Sequence, residues 1–246
     1  MENKMIINKP DKKFKLIADT ILIFASTLIF SAVVAREMPG PDLVSGQKLI
    51  ASLQSNPEYT QIEEGQFIKL DLRYATTNNF TGKNLYGEYN KCFLHREAAA
   101  KLLRSALLLQ KIRPGWKLLI FDCLRPRSVQ HRLFNKVKGT PQQSYVANPV
   151  RGSIHNYGFA VDLSLVDEKN QEVDMGTPFD SFNKLSRPDH EQKFLKKGSL
   201  NKKELANRKI LRDSMEGTGF IQLRSEWWHF DAQPPGVVRS KFSIVE

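Results

Sequence analysis

The apolar positions along this chain change their period several times, and each change predicts an element. Gln66 to Tyr74 (QFIKLDLRY) alternates apolar and polar residues and predicts a strand. Asn78 to Gly87, rich in Asn, Thr and Gly, predicts a loop. From His95 to Ile112 the period lengthens. Ala98, Leu102, Ala106 and Leu109 fall on one helical face with Leu103 and Leu107 beside them, and Arg113-Pro114-Gly115 stops the helix. Lys117 to Cys123 (KLLIFDC) predicts a short apolar strand, and Ser128 to Lys138 a second helix with Ser128 as its cap.

Further on, Gly158 to Val166 alternates again. Val161, Leu163 and Leu165 point one way, and Ala160, Asp162 and Ser164 the other. One face is core; the other carries a carboxylate that a strand does not bury without a partner. Residues 187–203 are polar and basic and predict a surface excursion. A helix from Lys203 to Glu216, closed by Gly217 and Gly219, and a last strand from Phe220 to Phe230 complete the pattern. One long helix, mixed strands and no strand–helix–strand rhythm predict an α+β fold rather than a doubly wound sheet.

The beginning of the chain follows a different logic. Lys4, Lys9, Lys12, Lys13 and Lys15 precede a nearly continuous apolar run from Leu16 to Ala35, broken by Asp19 and ending in Val33-Val34-Ala35. This is the layout of a secretory signal peptide. A run of about 20 apolar residues is also long enough to span a bilayer, so an uncleaved anchor is the alternative. The expected location is therefore outside the cytoplasm, periplasmic after cleavage or membrane-anchored facing the periplasm without it. Residues 36–65, with Pro39, Gly40, Pro41 and Pro57, read as leader and linker, and residues 66–246 as one domain.

Composition narrows the function classes. At 41% apolar residues, with 15 Phe, 6 Tyr and 3 Trp, the chain can bury a core and is not intrinsically disordered. Two cysteines exclude a disulfide-rich mini-protein and a four-cysteine zinc module. Cys92 and Cys123 can pair in an oxidising compartment or remain two buried thiols; the sequence leaves both open. Removing residues 1–35 takes away five lysines and three acids and lowers the net charge from +11 to +9. A basic surface suits an anionic partner. No basic run interleaves with aromatics, and no nucleic-acid partner is expected.

Candidate chemistry gathers in three segments: Ser153 to Asp162, Glu226-Trp227-Trp228-His229, and Asp122-Cys123-Leu124-Arg125-Pro126. Two His and one Asp can occupy three corners of a zinc tetrahedron and leave the fourth open, the pattern of a catalytic site. A turn at Gly158 would fold His155 back toward Asp162, with His229 arriving from the last strand. Glu226 would stand beside the metal as a general base. Residues i and i+3 face opposite sides of a regular strand, so this arrangement requires a bulge or a strand end near Glu226. Taken singly, each residue also has an ordinary structural reading, and His-x6-Asp is far less diagnostic than paired Cys-x2-Cys.

Together, Ser153-x-His155-x2-Gly158-x-Ala160-x-Asp162 and Glu226-x-Trp228-His229 resemble the signature of the zinc D-alanyl-D-alanine dipeptidases, within the wider D,D-carboxypeptidase and Hedgehog-like zinc fold. Asp71-Leu72-x-Tyr74-Ala75-Thr76, Asn79-Phe80-Thr81-Gly82, Asp122-x2-Arg125-Pro126 and Met175-Gly176-x2-Phe179-Asp180 extend the resemblance from about Gln66 to Phe230. It implies a single zinc peptidase domain with a mostly antiparallel sheet and flanking helices. It also implies one zinc ion per chain, held by His155, Asp162 and His229. Glu226 matches the base that takes a proton from the attacking water and returns it to the leaving amine. Arg125 matches the arginine that stabilises the oxyanion, Asp180 and Tyr74 match groups that hold the substrate's ammonium, and Ser153 matches a serine near the substrate. The implied reaction is hydrolysis of free D-Ala-D-Ala to two D-alanines. The alternatives are a D,D-carboxypeptidase trimming peptidoglycan stem peptides and a zinc-bearing binding module without catalysis. Leu124 replaces the family's usual aromatic before Arg-Pro, and Ile154 stands where a second Ser or Asn is common.

Overall fold

The computed structural model describes residues 45–246; the leader or anchor expected over residues 1–35 lies outside them. Among the described residues no helix is long and apolar enough to cross a membrane. The first elements are α1 (Gly46–Ser55) and β1 (Tyr59–Ile62), both inside the stretch read as leader and linker. That reading is corrected: Leu49 and Leu53 lie one helical turn apart and both are buried, which gives this short helix an anchored face.

Then come β2 (Ile68–Leu70), β3 (Cys92–His95), α2 (Arg96–Ile112), β4 (Lys117–Asp122), α3 (Arg127–Val137) and β5 (Ala160–Val166). The remainder is α4 (Glu191–Lys196), α5 (Lys202–Glu216), β6 (Ile221–Gln222), β7 (His229–Asp231) and α6 (Pro235–Lys241). β1 and β3 form an antiparallel pair, and the main sheet has the order β2-β4-β5-β7-β6. The α+β class is therefore observed, but the sheet is mixed rather than mostly antiparallel, because β2 runs parallel to β4. The chain between them carries α2, the kind of crossover that a parallel pair requires.

α2 buries Ala98, Ala99, Leu102, Ser105, Ala106 and Leu109, whereas Leu103 and Leu107 turn outward, about half exposed. The strand predicted to Tyr74 ends at Leu70 and gives way to a 3-10 turn at Arg73–Ala75. The helix predicted from Ser128 starts at Arg127, and its N-cap is Pro126, without a side-chain cap. In the polar excursion, Glu191 is buried because Arg208 and Arg212 of α5 both reach it. α5 begins with a capping box in which Asn201 and Glu204 satisfy each other's backbone N–H groups.

β5 is the centre of the sheet, and all seven of its residues are buried. Its register sets the site. Asp162 stands opposite Asp122 on β4 and opposite His229 on β7, so three ionisable side chains form one row across three strands. A register shift between Ile120 and Asp122 brings Asp122 into that row; bulges of this kind re-aim side chains beside functional sites. Cys92, the first residue of β3, is joined to Cys123, which follows β4, by a disulfide.

Candidate metal centre and its cavity

His155 comes to the row from a 3-10 turn, Ile154–Tyr157, that precedes β5. Ser153 caps the turn, its hydroxyl accepting from the His155 N–H at 3.4 Å, while the Ser153 N–H donates to Asn156 Oδ1 at 2.7 Å. Gly158 then reverses the chain at φ +73°, and a Cβ there would sit 2.9 Å from the His95 backbone nitrogen. Only glycine fits that close approach. The chain folds back as the sequence predicted, and His155 Nε2 reaches 3.2 Å from Asp162 Oδ1. His229 Nδ1 lies 3.0 Å from the same oxygen and 3.1 Å from His155 Nε2.

The outward nitrogens of both imidazoles are already committed. His155 Nδ1 lies 2.7 Å from the Cys123 carbonyl, and His229 Nε2 lies 2.9 Å from Asp231 Oδ1. Each donates its proton outward in a neutral ring, so two imidazole lone pairs and a carboxylate oxygen face one another. Such a donor set is stabilised by a positive charge at its centre. Burial opposes a charged His229, yet Asp231 and Asp162 raise its pKa well above the usual imidazole value. Burial likewise opposes an ionised Asp162, and the two imidazoles hold it well below the carboxylate range. The three ligand atoms lie within 4.8 Å of one another, and the set of two nitrogens and one oxygen suits a zinc-like divalent ion. Partners that fix the outer nitrogen are the usual support of such ligands.

These side chains open into a cavity of about 310 Å³. Arg125 enters from the end of β4. Asp122 Oδ2 accepts from its Nε at 2.9 Å and its Nη2 at 2.6 Å, and Gln130 Oε1 accepts from its Nη1 at 2.9 Å. Burial works against the guanidinium, but Asp122 and the surrounding acids raise its pKa well above the usual value. Arg125 Nη2 also lies 3.6 Å from Asp162 Oδ2, which sets the cation beside the metal position. The Tyr74 hydroxyl meets both Asp180 oxygens, at 3.0 and 2.9 Å. Burial, with the charge of Asp162, raises the Asp180 pKa well above that of an ordinary carboxylate.

Glu226 resolves the spacing difficulty. The predicted strand from Phe220 to Phe230 is two strands, β6 and β7, and Glu226 lies in the turn between them. It faces the cavity from a strand end, and its carboxylate has no hydrogen-bond partner among the described residues. Burial pushes its pKa up to about 7, His229 opposing and Asp162 adding to the shift.

All eight candidate residues thus line one cavity. The sequence reading missed Asp231, Gln130 and Tyr86, whose hydroxyl donates to Asp122. Asp231 had a signal: two residues after His229 on a strand it shares its face. Gln130 and Tyr86 reach the site only through the tertiary fold and had none.

A D-ala-D-ala dipeptidase family profile matches residues 58–245. The D-alanyl-D-alanine dipeptidase of Escherichia coli is 35% identical over 164 residues, covering 67% of this chain and 78% of that protein. Its counterpart in Enterococcus faecalis is 30% identical over 180 residues, covering 66% of this chain and 85% of that one. A D-alanyl-D-alanine dipeptidase of Synechocystis is 29% identical over 160 residues, covering 53% and 65% respectively.

Proposed function

This chain belongs to the D-ala-D-ala dipeptidase family, and from that premise we propose that it hydrolyses free D-Ala-D-Ala to two D-alanines with one zinc ion held by His155, Asp162 and His229. The observation that carries the metal assignment is the convergence of His155 Nε2, His229 Nδ1 and Asp162 Oδ1, with both outer imidazole nitrogens already bonded. When bound, the ion supplies Lewis acidity, polarising the scissile carbonyl and making water easier to deprotonate.

The chain's own residues do the rest. Glu226, with a pKa lifted to about 7 by burial, accepts a proton from the attacking water and delivers it to the leaving amine as the C–N bond breaks. Arg125, held in place by Asp122 and Gln130, stabilises the negative charge that develops on the former carbonyl oxygen. Asp180, bonded to Tyr74, receives the substrate's ammonium, and Ser153 borders the bound dipeptide while capping the turn that carries His155. An acid built for an ammonium discriminates against an N-acylated substrate, which would leave it unpaired.

The same reading places the enzyme outside the cytoplasm. The lysine-rich start and apolar run before residue 36 support export, and the Cys92–Cys123 disulfide is the state that an oxidising compartment permits. Its role there is dipeptide turnover from peptidoglycan precursors. N-terminal sequencing of the native protein distinguishes a cleaved leader from a retained anchor.

The deciding experiment measures D-alanine release by the zinc-loaded protein from D-Ala-D-Ala and from N-acetyl-D-Ala-D-Ala. Release from the free dipeptide alone is expected. Equal release from both would move the protein to the wall-trimming branch, and release from neither would overturn the peptidase reading.

A further inference from the structure

A dipeptide carries a carboxylate as well as an ammonium, and with Arg125 turned to the oxyanion the carboxylate needs a cation of its own. Three arginines line the cavity: Arg125, Arg151 and Arg239. Arg125 is committed, with Nε and Nη2 on Asp122 and Nη1 on Gln130. The other two share a separate wall. Arg151 is exposed and lies two residues before Ser153, on the approach to the turn that carries His155. Arg239 projects from α6, which packs on that turn, and its Nη2 donates to the Gly152 carbonyl at 3.3 Å.

Arg239 Nε is buried and has no hydrogen-bond partner. Neither Arg239 nor Arg151 forms an ion pair among the described residues. The acid nearest in influence, Asp231, is already bonded to His229 Nε2 at 2.9 Å. Burial and the neighbouring Arg151 both work against the charge on Arg239 and lower its pKa. Two unpaired cations kept together at the edge of a half-enclosed cavity create a site that an anion would relieve. A buried guanidinium N–H without an acceptor is the donor that a carboxylate satisfies, in the fork geometry natural to arginine.

We propose that Arg239, assisted by Arg151, is the subsite for the carboxylate of the substrate's C-terminal residue. The assignment rests on the dipeptidase reading. It gives the two charged ends of one zwitterion separate walls: Asp180 with Tyr74 for the ammonium, Arg239 with Arg151 for the carboxylate. The scissile bond between them then falls beside the metal ligands. A carboxylate held there would require a free C-terminus on the substrate.

The test compares kcat/KM for D-Ala-D-Ala and for D-Ala-D-alaninamide, which lacks the carboxylate charge. The wild-type protein is expected to prefer the acid. Arg239→Met removes the cation while keeping the length of the stem, and is expected to lower the acid-over-amide ratio by about 10–100-fold, the loss typical of a charge-assisted bond. Arg151→Met, at an exposed position where folding is not at stake, is expected to lower the same ratio several-fold. If Arg239→Met does not fold, Arg151→Met decides the matter. A ratio unchanged in the folded variants, while the wild-type protein cleaves the dipeptide, would overturn the carboxylate subsite alone. A wild-type protein that does not cleave D-Ala-D-Ala would overturn the dipeptidase reading and this assignment with it.

Discussion

Replacing Asp122 by Asn tests whether Arg125 is held ready for developing charge or is merely packed. Asp122 is fully buried and accepts two N–H groups of Arg125, at 2.9 and 2.6 Å, together with the Tyr86 hydroxyl. Asn preserves the shape and one acceptor but removes the charge. A hydrogen bond involving a charged group contributes roughly 1.5–3 kcal/mol, and breaking a buried pair by removing one partner costs about 3–5 kcal/mol. Gln130 and Asp162 remain near the guanidinium, which points to the lower end, about 3 kcal/mol. For a domain of this size that lowers the melting temperature by about 6–12 °C. A cation no longer held against the reacting oxygen should lower kcat by about 10²–10³. The assay is a thermal melt of the zinc-loaded variant with steady-state kinetics on D-Ala-D-Ala. The double variant Asp122→Asn/Arg125→Met should be little slower than Arg125→Met alone, because both changes remove the same positioned charge. A melt within 2 °C of wild type and a kcat within about threefold would refute the reasoning.

Other expectations follow from the same geometry. Glu226→Gln should retain one bound metal per chain but lose roughly 10²–10⁴ in kcat, as measured by metal analysis beside kinetics; near wild-type turnover would assign the proton transfer elsewhere. Asp231→Asn should weaken metal binding by about 10–100-fold in a chelator competition, because His229 Nε2 loses its carboxylate partner; unchanged affinity would show that the ring needs no such support. Asp180→Ala should raise KM for the free dipeptide while metal content stays at one ion. Unaltered kinetics would remove Asp180 from ammonium recognition.

Much of this was legible because the site is written locally. His155, Gly158 and Asp162 belong to one turn and strand, and the alternation through β5 already put the carboxylate away from Val161, Leu163 and Leu165. Glu226 and His229 were legible as a pair, and their i, i+3 spacing already demanded a bulge or strand end near Glu226; that the break is a full turn between β6 and β7 was not legible, because the length of the interruption is set by tertiary pairing. The parallel pairing of β2 with β4 depends on which strands meet after α2 crosses over, and local periodicity does not encode that. α1 escaped notice because only Leu49 and Leu53 anchor it and prolines flank the segment. The outward turn of Leu103 and Leu107 reflects the width of the buried stripe on α2, which depends on what packs against it.

The Cys92–Cys123 bond makes the segment between its ends a closed ring, and that ring contains α2 with its exposed C-terminal end and the exposed turn from Arg113 to Gly115. Exposed helix ends and turns are where proteases cut first. A single cut after Lys111 would therefore open the ring without dividing the molecule, and the two pieces would part on a denaturing gel only after reduction. The Cys123 carbonyl that accepts from His155 would stay tethered through such an injury. A bond that looks like a brace for the resting fold thus also keeps a once-cut chain in one covalent piece.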